Sequence, residues 1–259
     1  MKRFSQKVGL VTGGSEGIGL AIAQRLISEG AQVYICGRRQ QALDAASHTV
    51  GNNNLHVRQL DVLDSTALSG LIDEIRAEHG RLDFLVNNAM HVGWSAISET
   101  SLENFQQDFK VNVDAAFVTT QTALRHMINQ GSGSILNVAS INGLLAIDNM
   151  AAYSASKAAL IHFSKAAAME CATAGVRVNV IAPGVIASPS NLAALGGIPG
   201  YTEAVAGGVP MNRLGEPEER HARSAAGVEE EVLAHAAGEI QRFDQRHAQH
   251  AGVEVDRAL

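Results

Sequence analysis

Short runs of apolar and β-branched residues alternate along the chain with longer stretches of helical periodicity. The runs predict strands over residues 8–12, 32–36, 55–62, 82–89, 134–140 and 176–184. The helical stretches between them span residues 17–29, 65–79, 101–130 and 151–174. Such alternation is typical of βαβ units, whose right-handed crossovers build a parallel sheet. We therefore expect an α/β fold, a doubly wound parallel sheet with helices on both faces.

Composition limits what this fold is used for. The chain has 259 residues, 46% of them hydrophobic, which suits one large domain, and we place that domain at residues 1–219. A formal charge of −6 argues against nucleic-acid binding. With no signal peptide and no apolar stretch of membrane-spanning length, we expect a cytoplasmic protein without a membrane partner. Cys36 and Cys171 are far apart and predict buried thiols, not a metal site.

A glycine-rich turn, TGGSEGIG, connects the first predicted strand to the first predicted helix. Gly13, Gly17 and Gly19 permit positive φ, close approach of the backbone to phosphate and tight helix packing. The N-terminus of the following helix then offers free N–H groups to a pyrophosphate. An ordinary turn can use the same glycines, but their place between a strand and an amphipathic helix favours dinucleotide binding.

The end of the second predicted strand indicates which dinucleotide is bound. An NAD site carries Asp or Glu about 20 residues beyond the glycines, on the ribose hydroxyls. Here Gly37 is followed by Arg38 and Arg39, and a guanidinium suits a 2′-phosphate. Two solvated arginines at a helix start are the alternative, and Glu16 in the glycine turn would repel the phosphate. We predict NADP as the cofactor, in preference to NAD.

The segment AAYSASKAAL places Tyr153 and Lys157 one helical turn apart, on the same face of a predicted helix. An ammonium beside a phenol lowers the pKa of the phenol, which makes it useful as an acid or base near neutral pH. An exposed helix pair without a catalytic role is the structural alternative.

After the glycine turn, further motifs occur in order along the chain. They are NNA (87–89), VN (111–112), Ser140 at a strand end, YSASK (153–157), which contains Tyr153 and Lys157, and RVNVIAPG (177–184). Over residues 8–219 the chain resembles the short-chain dehydrogenases/reductases with a T-G-x-x-x-G-x-G turn. The resemblance implies a Rossmann-like fold and an oxidoreductase that uses NAD(P). Its substrate would be a small to medium, largely uncharged carbonyl or alcohol.

The resemblance also implies roles for four residues. Tyr153 would be the acid or base at the substrate oxygen, and Lys157 would lower its pKa and bind the nicotinamide ribose. Ser140 would hold the substrate oxygen, or else cap the turn after its strand. Asn112 would interrupt its helix so that its backbone helps to hold a proton-relaying water, or else be a buried polar residue.

The implied cofactor contacts come from the glycine turn, the strand ends and the last motif. They are Gly13, Ser15, Gly17, Ile18, Gly19, Arg38, Asp61, Val62, Asn87, Ala89, Tyr153, Lys157, Pro183, Gly184, Ile186 and Ser188. Met90 replaces the glycine usual in this family and is expected to narrow the space near the cofactor or substrate. No metal is expected.

Three segments are expected to surround the substrate: residues 90–96, 141–149 and 185–205. They are mostly apolar, and their polar or aromatic members are His91, Trp94, Asn142 and Asp148. The run over 196–210 is rich in Gly and Pro and predicts a mobile lid.

The resemblance ends near residue 219, where the family continues with an apolar helix and a glycine-rich last strand. Residues 220–259 instead predict an atypical tail that is helical or disordered, with a composition that a shifted reading frame would produce. Loss of the last strand would leave a sheet edge open. His247 and His250 lack a carboxylate or cysteine companion, so we interpret them as solvated.

By the same resemblance, the helices over 101–130 and 151–174 pack against a partner, which predicts a homodimer or homotetramer. Two other functions stay open. The altered tail permits a regulatory or scaffold protein that binds the cofactor without catalysis. An epimerase or dehydratase with retained NAD would use the same Tyr–Lys pair, but the chain length and Arg38 argue against it.

Overall fold

Six parallel strands form one sheet in a computed structural model that describes residues 2–196, 200–209 and 212–218. The strands are β1 (Val8–Thr12), β2 (Gln32–Gly37), β3 (Leu55–Gln59), β4 (Phe84–Asn87), β5 (Gly133–Val138) and β6 (Val176–Ile181). Their order is β3-β2-β1-β4-β5-β6, which confirms the doubly wound fold. The order reverses at β1, and a sheet of this kind binds ligands in the crevice at that point, beyond the carboxyl ends of its strands.

Eight α-helices are seen in the described residues. They are α1 (Gly17–Ser28), α2 (Gln40–Val50), α3 (Ser65–His79), α4 (Leu102–Phe109), α5 (Ala115–Gln130), α6 (Ala151–Cys171), α7 (Pro189–Gly196) and α8 (Tyr201–Gly208). Helices α3, α5 and α6 contribute to the core on one face of the sheet, and α1 and α2 to the core on the other. None of the helices in the described ranges is both long and apolar enough to cross a membrane.

Strand β1 shows why the predicted strands are almost continuously apolar. Leu10 belongs to the core with α3, α5 and α6, whereas Val11 belongs to the core with α1 and α2. Both side chains are 0% exposed, because successive residues of a strand point to opposite faces and both faces are covered. Cys36 and Cys171 are buried free thiols, as predicted.

The predicted strand over 55–62 is three residues too long. Strand β3 ends at Gln59, and the Leu60 amide makes a last bond to the Gly37 carbonyl at 2.9 Å. Asp61 then forms a turn in which its carboxylate accepts from the Leu63 amide at 3.0 Å. Asp64 follows and caps α3 by accepting from the Ala67 amide. These carboxylates compete for backbone N–H groups and so end the ladder.

Helix α2 was not among the predicted helices, and its sequence explains the omission. Only Leu43 and Ala46 are buried along its 11 residues, so the apolar periodicity is too weak to indicate a helix by itself. The helix forms in the crossover between β2 and β3, where it covers the second core.

The predicted helix over 101–130 has an irregular centre. Helices α4 and α5 are joined by a π-helical turn at Lys110–Asp114, which contains Asn112. The expected interruption at Asn112 is thus present. The other long prediction, 151–174, corresponds to α6 followed by a short 3₁₀ turn at Ala172–Ala174.

The predicted lid over 196–210 contains α8, so much of this run is helical despite its glycines. Residues 197–199 and 210 lie outside the described residues, as does the predicted tail over 220–259 with His247 and His250. In the described part of the chain β6 is the last strand of the sheet.

Candidate active site

The glycine turn has the geometry that a pyrophosphate requires. Gly13 and Gly17 have φ of 62° and 53°, in the left-handed region where a side chain is strained. A Cβ at Gly19 would lie 2.4 Å from the Gly13 carbonyl oxygen, so the turn closes on itself. Helix α1 has no side-chain cap and no acidic residue in its first turn. Its first N–H groups are therefore available to an anion, and this fits a dinucleotide.

The NNA segment braces this turn from β4. The Thr12 hydroxyl accepts from the amides of Asn88 and Ala89, both at 3.0 Å. The Asn88 side chain donates to the carbonyls of Thr12 and Gly13, also at 3.0 Å. Asn88 was not among the predicted site residues, although it stands between two that were. Its side chain fixes the glycine turn through these two hydrogen bonds.

Asn87 is directed into the sheet. Its amide nitrogen donates to Asn137 Oδ1 at 2.8 Å and to the Thr120 hydroxyl at 3.2 Å, while its oxygen accepts from Thr119 at 2.6 Å. This buried network joins β4, β5 and α5. Asn87 also lines a cavity shared with other predicted site residues, namely Val62, Ala89 and Asn112. The structure thus places these four residues around one space.

The segment of residues 183–188, which follows β6, lies over the glycine turn. A Cβ at Gly17 would lie 2.8 Å from Ser188 Cβ, so the two segments are in close contact. Ser188 and Ile186 are buried, and the Pro183 carbonyl accepts from the Ile141 amide at 3.0 Å. Residues 183–188, including Gly184, thereby connect the glycine turn to the turn after Ser140.

The two arginines that follow β2, Arg38 and Arg39, differ in their ionic partners. Arg39 binds Glu16 at 2.7 Å, which neutralises the carboxylate in the glycine turn. Arg38 is exposed and makes no ion pair with the described residues. A Cβ at Gly37 would lie 3.5 Å from the Ser15 hydroxyl, so Ser15 borders the same place. The expected repulsion from Glu16 is therefore offset by Arg39.

Tyr153, Lys157 and Ser140 come together at the carboxyl end of β5. Tyr153 is 6% exposed and Lys157 1% exposed, so they are not an exposed helix pair. Lys157 Nζ donates to the Val138 carbonyl at 2.9 Å and lies 5.7 Å from the centre of the Tyr153 ring. The Ser140 hydroxyl accepts from the Asn142 amide at 3.2 Å and also contacts Tyr153. Ser140 both caps its turn and faces the phenol.

On balance the pKa of Tyr153 is raised above its ordinary value, and the lowering expected from Lys157 stays a prediction. Burial raises the pKa of Tyr153, and the hydrogen bond with Ser140 only partly opposes that effect. Burial also lowers the pKa of Lys157 to about 8, because the ammonium is removed from water. The lysine is directed at the Val138 carbonyl, and its ammonium loses its proton around pH 8 instead of around pH 10.5.

Asn112 is 1% exposed and makes three side-chain hydrogen bonds. Its oxygen accepts from the His91 amide at 2.8 Å, and its nitrogen donates to the His91 carbonyl and to the Ser156 hydroxyl, both at 2.9 Å. Ser156 in turn donates to the Tyr153 carbonyl at 2.7 Å. Asn112 is thus a buried polar residue that ties the segment after β4 to α6.

A family model for short chain dehydrogenases matches residues 7–194. This chain belongs to the short-chain dehydrogenase family. Two curated relatives of this dehydrogenase illustrate the similarity. The cyclopentanol dehydrogenase of Comamonas sp. is 37% identical over 221 residues, which cover 85% of this chain and 88% of that protein. The NADP-dependent (R)-specific alcohol dehydrogenase of Lentilactobacillus kefiri is 34% identical over 223 residues, with coverages of 84% and 87%.

A crystal structure of a variant actinorhodin polyketide ketoreductase with NADPH has a TM-score of 0.81 to this short-chain dehydrogenase. The two chains are 30% identical, and the match covers 86% of this one and 91% of the other. The fold and the family are therefore shown, and the protein is an oxidoreductase that acts on CH–OH or C=O groups.

We expect Lys157→Met to change how stability depends on pH. The pKa of Lys157 is about 8 in the folded chain, against 10.5 for an ordinary lysine, so between these values the unfolded chain binds more protons. A lysine pKa lowered by folding makes stability rise with pH, by on the order of 1–3 kcal/mol across that window. The raised pKa of Cys36, about 12, opposes this rise in wild type, so the contribution of Lys157 is measured as a difference. Relative to Lys157→Met, the free energy of urea unfolding of wild type should rise from about pH 8 to about pH 10.5.

Lys165→Met is the matched control, because Lys165 lies on the same helix and is exposed. It should keep the wild-type rise. An equal rise in both variants would contradict the lowered pKa of Lys157.

Proposed function

We propose that this short-chain dehydrogenase transfers a hydride between NADPH and a small to medium carbonyl or alcohol, with Tyr153 as the acid or base. The observation that carries the proposal is the burial of Tyr153 against Ser140 with Lys157 beneath it, at the sheet edge that also holds the glycine turn. When bound, the nicotinamide supplies or accepts the hydride.

Each of the other site residues has a separate role in this proposal. Ser140 holds the substrate oxygen and orients it toward the Tyr153 hydroxyl, which gives or takes the proton. Lys157 holds the nicotinamide ribose and keeps a positive charge near the phenol while it is protonated. Asn112 keeps the segment after β4 in register with α6, through His91 and Ser156. General acid–base catalysis of this kind contributes about 10²–10⁴-fold to a rate.

Arg38 supports NADP as the cofactor. It is the arginine at the end of β2 that Glu16 does not engage, so its guanidinium is available for a 2′-phosphate. Neither an Asp nor a Glu stands at Gly37, where an NAD site would place one. An NADP-dependent relative and a related ketoreductase structure with NADPH agree with this choice.

The expected substrate segments carry exposed apolar side chains. They are Met90, Val92, Trp94, Leu144 and Leu192, each between 38% and 54% exposed. Such a rim favours an uncharged, apolar substrate over a charged one. Together with the similarity to a cyclopentanol dehydrogenase, this leads us to propose cyclic secondary alcohols and ketones as substrates.

We expect the purified protein to bind NADPH more tightly than NADH, as followed by the fluorescence of the reduced nicotinamide. Arg38→Ala should weaken NADPH binding by roughly ten- to a hundredfold, because a charge-assisted phosphate contact is lost. NADH binding should change little. Arg25→Ala, at the far end of α1, should leave both affinities unchanged. Equal loss of NADPH and NADH affinity in Arg38→Ala would argue against a 2′-phosphate contact.

Tyr153→Phe should keep NADPH binding and lose turnover. With cyclopentanol and NADP, or cyclopentanone and NADPH, we expect kcat to fall by about 10²–10⁴-fold, because the proton donor and acceptor is removed. Steady-state rates at 340 nm provide the measurement. Tight NADPH binding by wild type without turnover of any carbonyl or alcohol in a broad panel would favour the silent regulatory alternative instead.

We also propose a homodimer or homotetramer formed through α4, α5 and α6. On these helices Phe117 is 47% exposed and packs edge-on against Phe163 at 6.0 Å, and Met169 is 83% exposed. Apolar groups of this size on neighbouring helices are typical of a surface that another chain covers. The proposal is separate from the chemistry of the site.

Light scattering should give a mass of two or four times 27.3 kDa. Phe117→Glu should shift the protein toward monomer, because a carboxylate would be buried without a partner. Ile97→Glu is the matched control, since Ile97 is 77% exposed and lies outside these helices. A monomeric wild type would contradict the proposed assembly.

A further inference from the structure

Asp108 is a carboxylate buried beside the candidate active site. It lies on α4 and is 0% exposed. Its oxygens accept from His91 Nδ1 at 2.9 Å and from the Gly93 amide at 3.1 and 3.2 Å. A Cβ at Gly93 would lie 2.8 Å from Asp108 Oδ2, so the loop is closely fitted to the carboxylate. Removing a carboxylate from water is costly unless its partners compensate.

A chain of hydrogen bonds connects His91, the partner of this carboxylate, to the proposed catalytic residue Tyr153. His91 is bound to Asp108 through its ring and to Asn112 through both its amide and its carbonyl. From Asn112 the hydrogen bonds continue through Ser156 to the Tyr153 backbone. The His91 side chain is 37% exposed, so this network extends from solvent to the interior.

Asp108 also acts on the two catalytic groups of α6 through its charge. Its negative charge raises the pKa of Tyr153 and of Lys157, although burial dominates for both. Among the described ionisable groups, His91 of the loop is bonded to Asp108, and Tyr153 and Lys157 of α6 are those whose pKa its charge raises. Lys110 and Asp114 of the adjoining π-helical turn are exposed.

We propose that Asp108 and His91 form a positioning pair, which clamps Asn112 and places a fixed negative charge near Tyr153 and Lys157. Asp108 fixes the His91 ring through Nδ1, and the anchored ring holds the His91 backbone against Asn112. The pair thereby sets both the geometry and the electrostatics of the site. An apolar residue at position 108 would fill the space but supply neither the acceptor nor the charge. The inference rests on the proposed function of Tyr153 and Lys157.

Asp108→Asn separates charge from shape, because the amide retains an oxygen acceptor. Without the anion, both Tyr153 and Lys157 release their protons more easily. The alkaline ionisation in the pH profile of kcat/KM for cyclopentanol oxidation should therefore shift to lower pH, by about one unit. A purely structural role for Asp108 would lower the rate without moving this profile.

His91→Ala tests the clamp. It should lower kcat by about ten- to a hundredfold, as misplacement of a catalytic group does. The KM for NADPH should stay close to wild type, since the glycine turn is held by Asn88 and Thr12. His91→Asn keeps a side-chain donor for Asp108 and should restore most of kcat.

His126→Gln is the matched control, because His126 also binds a carboxylate, that of Asp73 at 2.6 Å, away from the site. It should have a wild-type rate and profile. An unshifted profile in Asp108→Asn, or equal losses in His91→Ala and His126→Gln, would overturn the inference.

A second readout needs neither cofactor nor substrate. The ionisation of Tyr153 is measured by tyrosinate absorbance, as the difference between each chain and the same chain with Tyr153→Phe. Its midpoint should be lower in Asp108→Asn than in wild type, and equal midpoints would overturn the electrostatic part of the inference. If wild type shows no turnover but the midpoint of Tyr153 ionisation is still lower in Asp108→Asn, the proposed function is rejected and the positioning pair is supported. Thermal unfolding of each variant confirms that it is folded.

Discussion

Burial of both faces of the parallel sheet is the constraint on which the rest of the structure depends. With cores on either side, the strands have little space for polar chemistry along their length. The chemistry is therefore concentrated beyond the carboxyl ends of the strands. The glycine turn follows β1, the NNA segment ends β4, and Ser140 follows β5. Residues distant in sequence meet there because parallel strands bring equivalent ends to one edge.

Polar groups that do enter the interior are paired with one another. Asn87 joins Asn137 and Thr119 beneath the sheet edge, and Asn137 also donates to Ser164 of α6 at 2.8 Å. An unpaired group of this kind costs about 1–3 kcal/mol, so the network favours one arrangement of β4, β5, α5 and α6. Tyr153 and Lys157 lie on α6, and Asn112 lies in the π-helical turn that leads into α5. The interior polar network thus holds the scaffold of the proposed catalytic residues.

Charge in this protein is set by burial as much as by neighbours. Lys157 loses its solvent and binds a backbone carbonyl, so its pKa falls toward neutrality. The phenol above it is also buried, and its pKa rises. Burial therefore acts on the phenol in the direction opposite to the one expected from a neighbouring ammonium. At the other end of the site, Arg39 neutralises Glu16, which changes the expected influence of that carboxylate on a bound phosphate.

The sequence by itself determined the fold class and the glycine turn, and it pointed to Asn112, Ser140, Tyr153 and Lys157 as candidate site residues, because each depends on local periodicity or on a motif of fixed spacing. It did not reveal α2, whose few buried positions leave a weak pattern, or the early end of β3, where Asp61 and Asp64 capture backbone amides. Only the tertiary structure decided how Asn88 braces the turn and how Asp108 meets His91. Those contacts join segments far apart in the chain, and no local pattern encodes which polar side chains burial will bring together.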